Sequence, residues 1–134
     1  MSIREPALAS LQVRDCMHTG ILTTDASTPL RTVAKLMAAQ RVHAVAVTEP
    51  NNVRRPWGIV TSLDVAEAAA GGIDETAGQA AAREVLTVIS DDPLDHAAQV
   101  MVEHGASHLI VIERGTGHPC GIISTLDVAA AYAG

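Results

Sequence analysis

The sequence predicts a mixed α/β (α+β) fold made of two tandem β-α-β-β-α repeats that pack about a pseudo-twofold axis. The first observation is an octet, Gly58–Val65 (GIVTSLDV), that returns near the C-terminus as Gly121–Val128 (GIISTLDV). The second is an apolar helix stripe that also occurs twice, at nearly the same offset along the chain. Patterns repeated in one register indicate an internal duplication. Because half of a 134-residue chain is too small to bury a core well alone, the two repeats are expected to pack together.

Composition limits the possible classes of protein. Hydrophobic residues make up 48% of the chain and charged residues 18%, as in globular domains. No apolar run approaches the roughly 18 residues that a membrane span needs, and Met1–Ser10 has no apolar signal core. We therefore expect a cytoplasmic protein that does not bind membranes. The net charge of −6 and the nine scattered Lys and Arg residues argue against nucleic-acid binding, which requires clustered positive charge.

The residue types that bind metals or catalyse reactions form no recognisable motif. Cys16 and Cys120 are too few and too far apart for a zinc site. The sequence contains no Gly-x-Ser-x-Gly, P-loop or His-Glu-x-x-His motif. Four histidines lack metal-ligand spacing and are expected to be solvated, namely His18, His96, His104 and His118. We expect no catalytic residues and no metal site.

The first repeat opens with a short helical turn at Val13–Met17 and a strand at Ile21–Thr24. A helix is then predicted with Thr28 as its N-cap and Pro29 in its first position, where proline is favoured. Its apolar positions have the spacing of one helix face. They are Leu30, Val33, Ala34 and Met37.

A hairpin and a second helix complete the first repeat. The apolar run Ala44–Val47 predicts a strand that is buried on both faces. A loop at Pro50–Pro56 connects it to an antiparallel strand at Trp57–Val60. The Ala-rich stretch Ser62–Ala70 predicts the closing helix, and Gly71-Gly72 ends it.

The second repeat has the same order of elements after an Ala-rich connector. Asp92-Pro93 begins its first helix, and a hairpin turns around Gly115 and Gly117. The stripe of that helix is Leu94, Ala97, Ala98 and Met101. The strands are Leu86–Ile89, Leu109–Ile112 and Cys120–Ile123, and the last helix is Leu126–Ala133. The predicted boundaries are 1–12 for an N-terminal tail, 13–72 for repeat 1, 73–81 for the connector and 82–134 for repeat 2.

The end of each octet allows two interpretations. Thr61 with Asp64, and Ser124 with Asp127, have the spacing of a capping box, in which hydroxyl and carboxylate satisfy backbone N–H groups at a helix start. The same position, after a strand and at a helix N-terminus, also favours phosphate. An ionised Asp there can accept hydrogen bonds from both hydroxyls of a ribose. The two roles are compatible.

The duplicated unit with its Gly-h-h-[Ser/Thr]-x-x-Asp motif resembles a pair of CBS domains, a Bateman module, over about residues 13–70 and 82–133. The resemblance implies a regulatory module that senses an adenosine derivative (AMP, ADP, ATP or S-adenosylmethionine) in clefts between the repeats. Binding would change its conformation or its affinity for a regulated protein partner. The motif Asp would bind ribose, and the hydroxyl residue would lie near phosphate. No further cofactor is required.

The resemblance also implies which residues share a cleft. Each cleft would take backbone from the first strand of one repeat and the octet of the other. One would combine Gly20, Leu22, Ser124 and Asp127. The other would combine Leu86, Thr61 and Asp64.

The histidines before the buried strands bear on the choice of ligand. Family members that bind polyphosphates often carry Arg or His there, and this chain has His43 and His108 without Arg. Neutral His is a weak phosphate partner at pH 7. The pattern therefore favours AMP, adenosine or S-adenosylmethionine over ATP.

CBS pairs commonly stack into four-repeat discs, so the resemblance implies a homodimer, with Trp57 either a dimer contact or a packing residue. Arg54-Arg55 is interpreted as a solvated hairpin tip. The alternative function is a dimerisation or protein-interaction module with empty clefts and no nucleotide ligand. A paired-carboxylate enzyme using Asp64 and Asp127 is less favoured, because their symmetric placement suits two equivalent binding sites.

Overall fold

The structure is a computed structural model that describes residues 7–49, 52–81 and 85–134, without the side chains of Ala7 and residues 52–56. Parts of the expected tail, of the expected hairpin loop and of the start of repeat 2 therefore lie outside the described residues. The chain forms two compact units. Unit 1 comprises Ile21–Leu86, and unit 2 comprises the described residues up to Gly20 together with Thr87–Gly134. Each unit has a three-stranded sheet with helices, which confirms the mixed α/β class.

Unit 1 is built around a central buried strand. β1 (Thr23–Asp25) pairs in parallel with β2 (Ala44–Glu49), and β2 pairs antiparallel with β3 (Asn52–Thr61), as predicted for the hairpin. The helices are α3 (Leu30–Gln40), α4 (Ser62–Gly71) and α5 (Ala77–Ala80). Three consecutive residues of β2 are fully buried, which confirms a strand covered on both faces: Val45, Ala46 and Val47.

The core of unit 1 contains aliphatic side chains, Met37 and several alanines. The α3 stripe packs against the sheet and the alanines of α4 and α5. The buried members of this core are Ala26, Leu30, Val33, Met37, Val45, Val47, Val60, Ala68, Ala77 and Ala81. Alanine side chains thus supply part of this core, and the chain contains no phenylalanine.

The start of α3 differs from the prediction. Pro29 is the N-cap and Leu30 the first helical residue, whereas Thr28 was expected to cap and Pro29 to begin the helix. Pro29 has ψ 137°, which is extended, and its carbonyl accepts from the N–H groups of Thr32 and Val33. The Leu30 N–H, which has no partner within the helix, donates to the Glu75 carbonyl at 2.8 Å.

The strand boundaries also differ from the prediction, most of all at the start of β3. β1 begins at Thr23 instead of Ile21, and β3 begins at Asn52 instead of Trp57, so most of the expected Pro50–Pro56 loop is strand. The β2–β3 register shifts on both sides of Thr48, which faces Pro56. A bulge of this kind accommodates a residue without an N–H, and pairing continues beyond it. Arg54 and Arg55 lie within β3, with their side chains outside the described residues.

Unit 2 repeats the arrangement. β4 (Thr87–Ile89) is parallel to β5 (His108–Ile112), which is antiparallel to β6 (Pro119–Ser124). Its helices are α1 (Ala7–Ser10), α2 (Val13–Cys16), α6 (Leu94–His104) and α7 (Thr125–Ala133). No helix in the described part of the chain is long and apolar enough to cross a membrane.

The N-terminal segment, here the described residues 7–20, belongs to unit 2 and not to unit 1. The Val13 N–H donates to the Asp92 carbonyl at 2.9 Å, and His18 and Ile122 exchange backbone hydrogen bonds of 2.9 and 3.1 Å. Val13 is fully buried. The corresponding segment of unit 1 is Glu75–Ala81, whose residues bond to Ala26, Thr28 and Leu30. Helix α2 has only four residues and would be unstable alone. Its backbone hydrogen bonds to unit 2 and the burial of Val13 hold it in place.

The backbone passes close to Gly121 in β6. A Cβ atom there would lie 2.7 Å from Met17 Sδ and 2.8 Å from the His18 carbonyl oxygen. Only glycine fits without displacing the N-terminal segment.

Arg114, in the β5–β6 hairpin, binds the carboxylate of Asp91 through two nitrogens, each at 2.9 Å from an oxygen. This hydrogen bonding lowers the pKa of Asp91 below its ordinary 3.8. A lowered folded-state pKa stabilises the fold above the unfolded value, and the contribution is lost as the pH falls through the folded value.

Arg114→Ala should therefore lower the urea midpoint at pH 7, and the difference from wild type should shrink as the pH drops below 3.8. Urea titrations between pH 7 and pH 2.5 measure both. Lys35→Ala removes an exposed charge from α3 and serves as the control. A difference that stays constant across this range would contradict the assignment.

Candidate functional site

The first site residues lie where β3 passes into α4. Thr61 is the N-cap of α4, and its N–H donates to Asp64 Oδ2 at 2.7 Å. In return, the Asp64 N–H donates to Thr61 Oγ1 at 3.3 Å, and the hydroxyl donates to Asp64 Oδ2 at 3.0 Å. The capping interpretation is confirmed for this octet.

The junction of β6 and α7 has the same geometry. The Ser124 N–H donates to Asp127 Oδ2 at 2.8 Å, its hydroxyl donates to the same oxygen at 3.0 Å, and the Asp127 N–H donates to Ser124 Oγ at 3.3 Å. These three distances are nearly the same as those of the first box. Both carboxylates are half-buried. The duplicated sequence therefore produces two matching carboxylates at helix N-termini.

Each box occupies only one oxygen of its carboxylate. Oδ2 accepts the capping bonds, and Asp64 Oδ1 accepts none from the described residues. A carboxylate has about four acceptor positions, so Oδ1 can still receive hydroxyl groups of a ligand. The first-turn N–H groups and the dipole at the start of α4 and α7 favour an anion alongside. The geometry suits a ligand that carries both a diol and a negative charge.

Asp127 has a neighbour that the sequence did not reveal. His18 Nε2 lies 2.9 Å from Asp127 Oδ1, although His18 was expected to be solvated without a role. Its side chain is still 75% exposed. The two residues are far apart in the chain, and the position that corresponds to His18 in the other repeat is Ala82, which has no polar side chain. This difference between the repeats is visible in the sequence, but only the folded chain shows that His18 contacts Asp127.

The two histidines before the buried strands are not equivalent. His43 precedes β2 and is exposed, and its carbonyl accepts from the Ser62 N–H at 2.9 Å. The residue with this bond in unit 2 is Ser107, whose carbonyl accepts from Thr125. His108 is the next residue, half-buried, with Nδ1 at 2.9 Å from Ser107 Oγ. Successive strand residues face opposite sides, so the two imidazoles have different surroundings.

A groove in unit 1 places Arg41 near His43 and Ser62. It has a volume of about 560 Å³, and its other lining residues come mainly from α3 and α4. Arg41 follows α3 in the left-handed conformation (φ 54°) and is exposed. The expected phosphate-binding positions lie directly next to the strand, so the sequence alone did not indicate this cation.

The remaining expected site residues lie at the strand starts. Gly20 is exposed in unit 2 with φ +64°, a conformation that favours glycine. Leu22 lies in unit 1, where its carbonyl accepts from the Ala46 N–H at 3.0 Å. Leu86 is half-buried just before β4, at the end of the unit that holds Thr61 and Asp64. The roles of all three as ligand contacts stay predictions.

The cysteines do not add a reactive group. Burial, and then the nearby Asp15 and Asp127 carboxylates, raise the pKa of Cys16 above its ordinary 9.0. Burial and Glu113 raise the pKa of Cys120. A thiol with a raised pKa is protonated near pH 7 and is a poor nucleophile. Among residues 7–49, 52–81 and 85–134, no three His, Cys, Asp or Glu side chains group so as to hold a metal ion.

Removing the Ser124 hydroxyl tests the capping role alone. Ser124→Ala should destabilise unit 2 by about 1 kcal/mol, because the Asp127 N–H loses its acceptor while the carboxylate remains. Thermal and urea unfolding measure the loss. Ser90→Ala, half-buried in the same unit outside the box, is the control. Equal stability of Ser124→Ala and wild type would show that the box does not stabilise α7.

Comparison with known families identifies the fold. The family model for the CBS domain matches residues 13–71 and 77–134. The chain therefore belongs to the CBS domain family, and it carries two copies of the domain, as the repeat predicted.

Several known proteins and solved structures resemble this chain. A protein named homoserine O-acetyltransferase from Methanosphaerula palustris is 33% identical over 113 residues, which cover 84% of this chain. The match spans only 22% of that relative. CBS domain protein PAE2072 from Pyrobaculum aerophilum, solved in complex with AMP, has 26% identity and a TM-score of 0.79 over 87% of this chain and 89% of its own. The CBS domain pair of protein MJ0100, in complex with 5′-methylthioadenosine and S-adenosyl-L-methionine, has 23% identity and a TM-score of 0.81 over 92% and 96%.

Proposed function

We propose that this chain is a regulatory module that binds an adenosine derivative, with Asp64 and Asp127 as the acceptors for ribose hydroxyls. The observation that carries the proposal is the pair of matching capping boxes, each of which fixes a half-buried carboxylate and engages only Oδ2 within the box. The AMP complex of the relative with 26% identity supports an adenosine ligand. Thr61 and Ser124, at the helix N-termini, would lie near the phosphate.

A ligand with at most one phosphate is favoured over a polyphosphate. His43 and Arg41 are exposed at the groove of unit 1, and the corresponding positions of unit 2 are Ser107 and Gly105. Only unit 1 has this pair of side chains, and one arginine beside one histidine provides little positive charge for three phosphates. AMP, adenosine and S-adenosylmethionine are therefore proposed ahead of ATP.

A thermal-shift panel tests this proposal. The panel contains AMP, ATP, adenosine, S-adenosylmethionine and 5′-methylthioadenosine, with 2′-deoxy-AMP and GMP as controls. A ligand at about 100 times its Kd stabilises the folded state by about 2.7 kcal/mol per site, which raises the melting temperature measurably. We expect a shift with AMP that is smaller with 2′-deoxy-AMP, because one hydroxyl of the diol is missing. Absence of a shift with every ligand would overturn the proposal.

A protein-interaction module is the second candidate, and exposed apolar residues favour it. Leu63 on α4 and Leu126 on α7 occupy the same octet position, with 66% and 76% of their surface exposed. Tyr132, also on α7, is 67% exposed. Apolar side chains repeated in this way are suited to a subunit contact, as in the expected homodimer. Trp57 fits a packing role as well, since its indole Nε1–H donates to the Gly78 carbonyl at 3.2 Å.

Sedimentation velocity of the wild type and of Leu63→Glu with Leu126→Glu tests the interaction surface. A wild-type dimer that dissociates in the double variant would support it. A wild-type monomer at all concentrations would contradict the homodimer. The same proposal includes a protein partner that the module would regulate. A link to the acetyltransferase activity, which is named for much longer relatives, also belongs to that proposal.

A further inference from the structure

The contact between His18 and Asp127 makes two otherwise matching sites unequal. Oδ1 of Asp127 is engaged by an imidazole at 2.9 Å, whereas Oδ1 of Asp64 receives no hydrogen bond from the described residues. Because a carboxylate only accepts, His18 Nε2 must carry the proton in this contact. The imidazole therefore occupies the kind of acceptor position that a ribose hydroxyl would use.

We propose that His18 is an intramolecular competitor for the diol at Asp127, so that the Asp64 site binds its ligand more tightly than the Asp127 site. This inference rests on the proposed function, since it concerns the same two carboxylates. His18 acts through Asp127 and is a residue that determines the difference between the sites.

The backbone around His18 fixes where its ring can reach. The N–H and carbonyl of His18 bond to Ile122 at 2.9 and 3.1 Å, which anchors the residue beside β6. Gly121 allows this close approach, since a Cβ atom there would meet the His18 carbonyl at 2.8 Å. The position of His18 is thus set by main-chain bonds that do not depend on its side chain.

The side chain itself is held weakly. With 75% of its surface exposed, the ring can rotate into solvent, and exposed contacts of this kind contribute little net free energy. A ligand can therefore displace His18, and the competition weakens binding without abolishing it. The expected effect is about a two- to fivefold difference in affinity.

Calorimetry with AMP as the probe tests the inference in proteins that keep one carboxylate each. Asp64→Asn leaves the Asp127 site, and Asp127→Asn leaves the Asp64 site. Adding His18→Ala to Asp64→Asn should tighten AMP binding about two- to fivefold. Adding it to Asp127→Asn should change nothing, which is the matched control.

The outcomes separate this inference from the proposed function. Suppose that the wild type binds AMP, but adding His18→Ala to Asp64→Asn leaves the AMP affinity unchanged or lowers it. The proposed competition by His18 is then overturned, and the proposed AMP-binding function stands. An equal change in both backgrounds shows a general structural effect and also overturns it. Binding that appears only after His18→Ala supports the competition. No AMP binding by any of these proteins overturns both proposals.

Discussion

Replacing Asp64 and Asp127 with asparagine should lower AMP affinity by about 10- to 100-fold at each site, because a hydrogen bond to a charged acceptor contributes about 1.5–3 kcal/mol. The asparagine oxygen can keep the capping bond from the Thr61 or Ser124 N–H, which places the NH₂ group where Oδ1 was. A donor then faces the ribose hydroxyls in place of an acceptor. Isothermal titration of the single and double variants measures the loss.

The asparagine variants separate ligand binding from helix capping. Their thermal stability should fall by at most about 1 kcal/mol per site, from the lost charge at the helix N-terminus. Glu67→Gln also removes one negative charge from α4, on an exposed position away from the box, and should leave AMP affinity unchanged. Wild-type affinity in the double asparagine variant would show that these carboxylates do not hold the ligand.

Leu94→Ala should cost about 2–5 kcal/mol of folding free energy, since it removes a fully buried side chain and leaves a cavity. Leu94 is the first residue of α6, and its N–H donates to the Leu11 carbonyl at 2.8 Å. The cavity would therefore open where the N-terminal segment joins unit 2. A urea titration followed by circular dichroism measures the change in midpoint.

Val102→Ala is the matched control for this prediction. Val102 lies on the same helix but is 82% exposed, so the substitution removes little buried surface and should change the folding free energy by less than about 0.5 kcal/mol. Similar losses in the two variants would mean that α6 is not packed against the core through the Leu94 side. A small loss in Leu94→Ala alone would indicate that the surrounding residues fill the space.

The sequence predicted those secondary-structure elements that depend on interactions between residues close together in the chain. The stripes of α3 and α6, the buried strands β2 and β5, and the hairpins follow from periodicity and turn residues, and the structure confirms them. The capping boxes were predicted from the spacing of four residues, since a cap depends only on atoms within one helical turn. The start of α3 at Pro29 and the start of β3 at Asn52 were not predicted. The first depends on a neighbouring segment and the second on a bulge.

The candidate site divides in the same way. Asp64 and Asp127 are recognisable in the sequence because duplication repeats their spacing, and the CBS family match supports that interpretation. The difference between them was not recognisable, because His18 reaches Asp127 from a distant part of the chain through a backbone bridge to β6. Similarly, Arg41 joins His43 in a groove only once α3 ends in a left-handed residue.

A reader of the sequence could already infer a duplicated α/β unit with a carboxylate at the start of each closing helix. Local propensity and repetition are sufficient for that conclusion. The folded chain was needed to show that the N-terminal segment completes unit 2 and that His18 engages one of the two carboxylates. The physical reason is that both features depend on hydrogen bonds between residues distant in the chain, which no local pattern specifies.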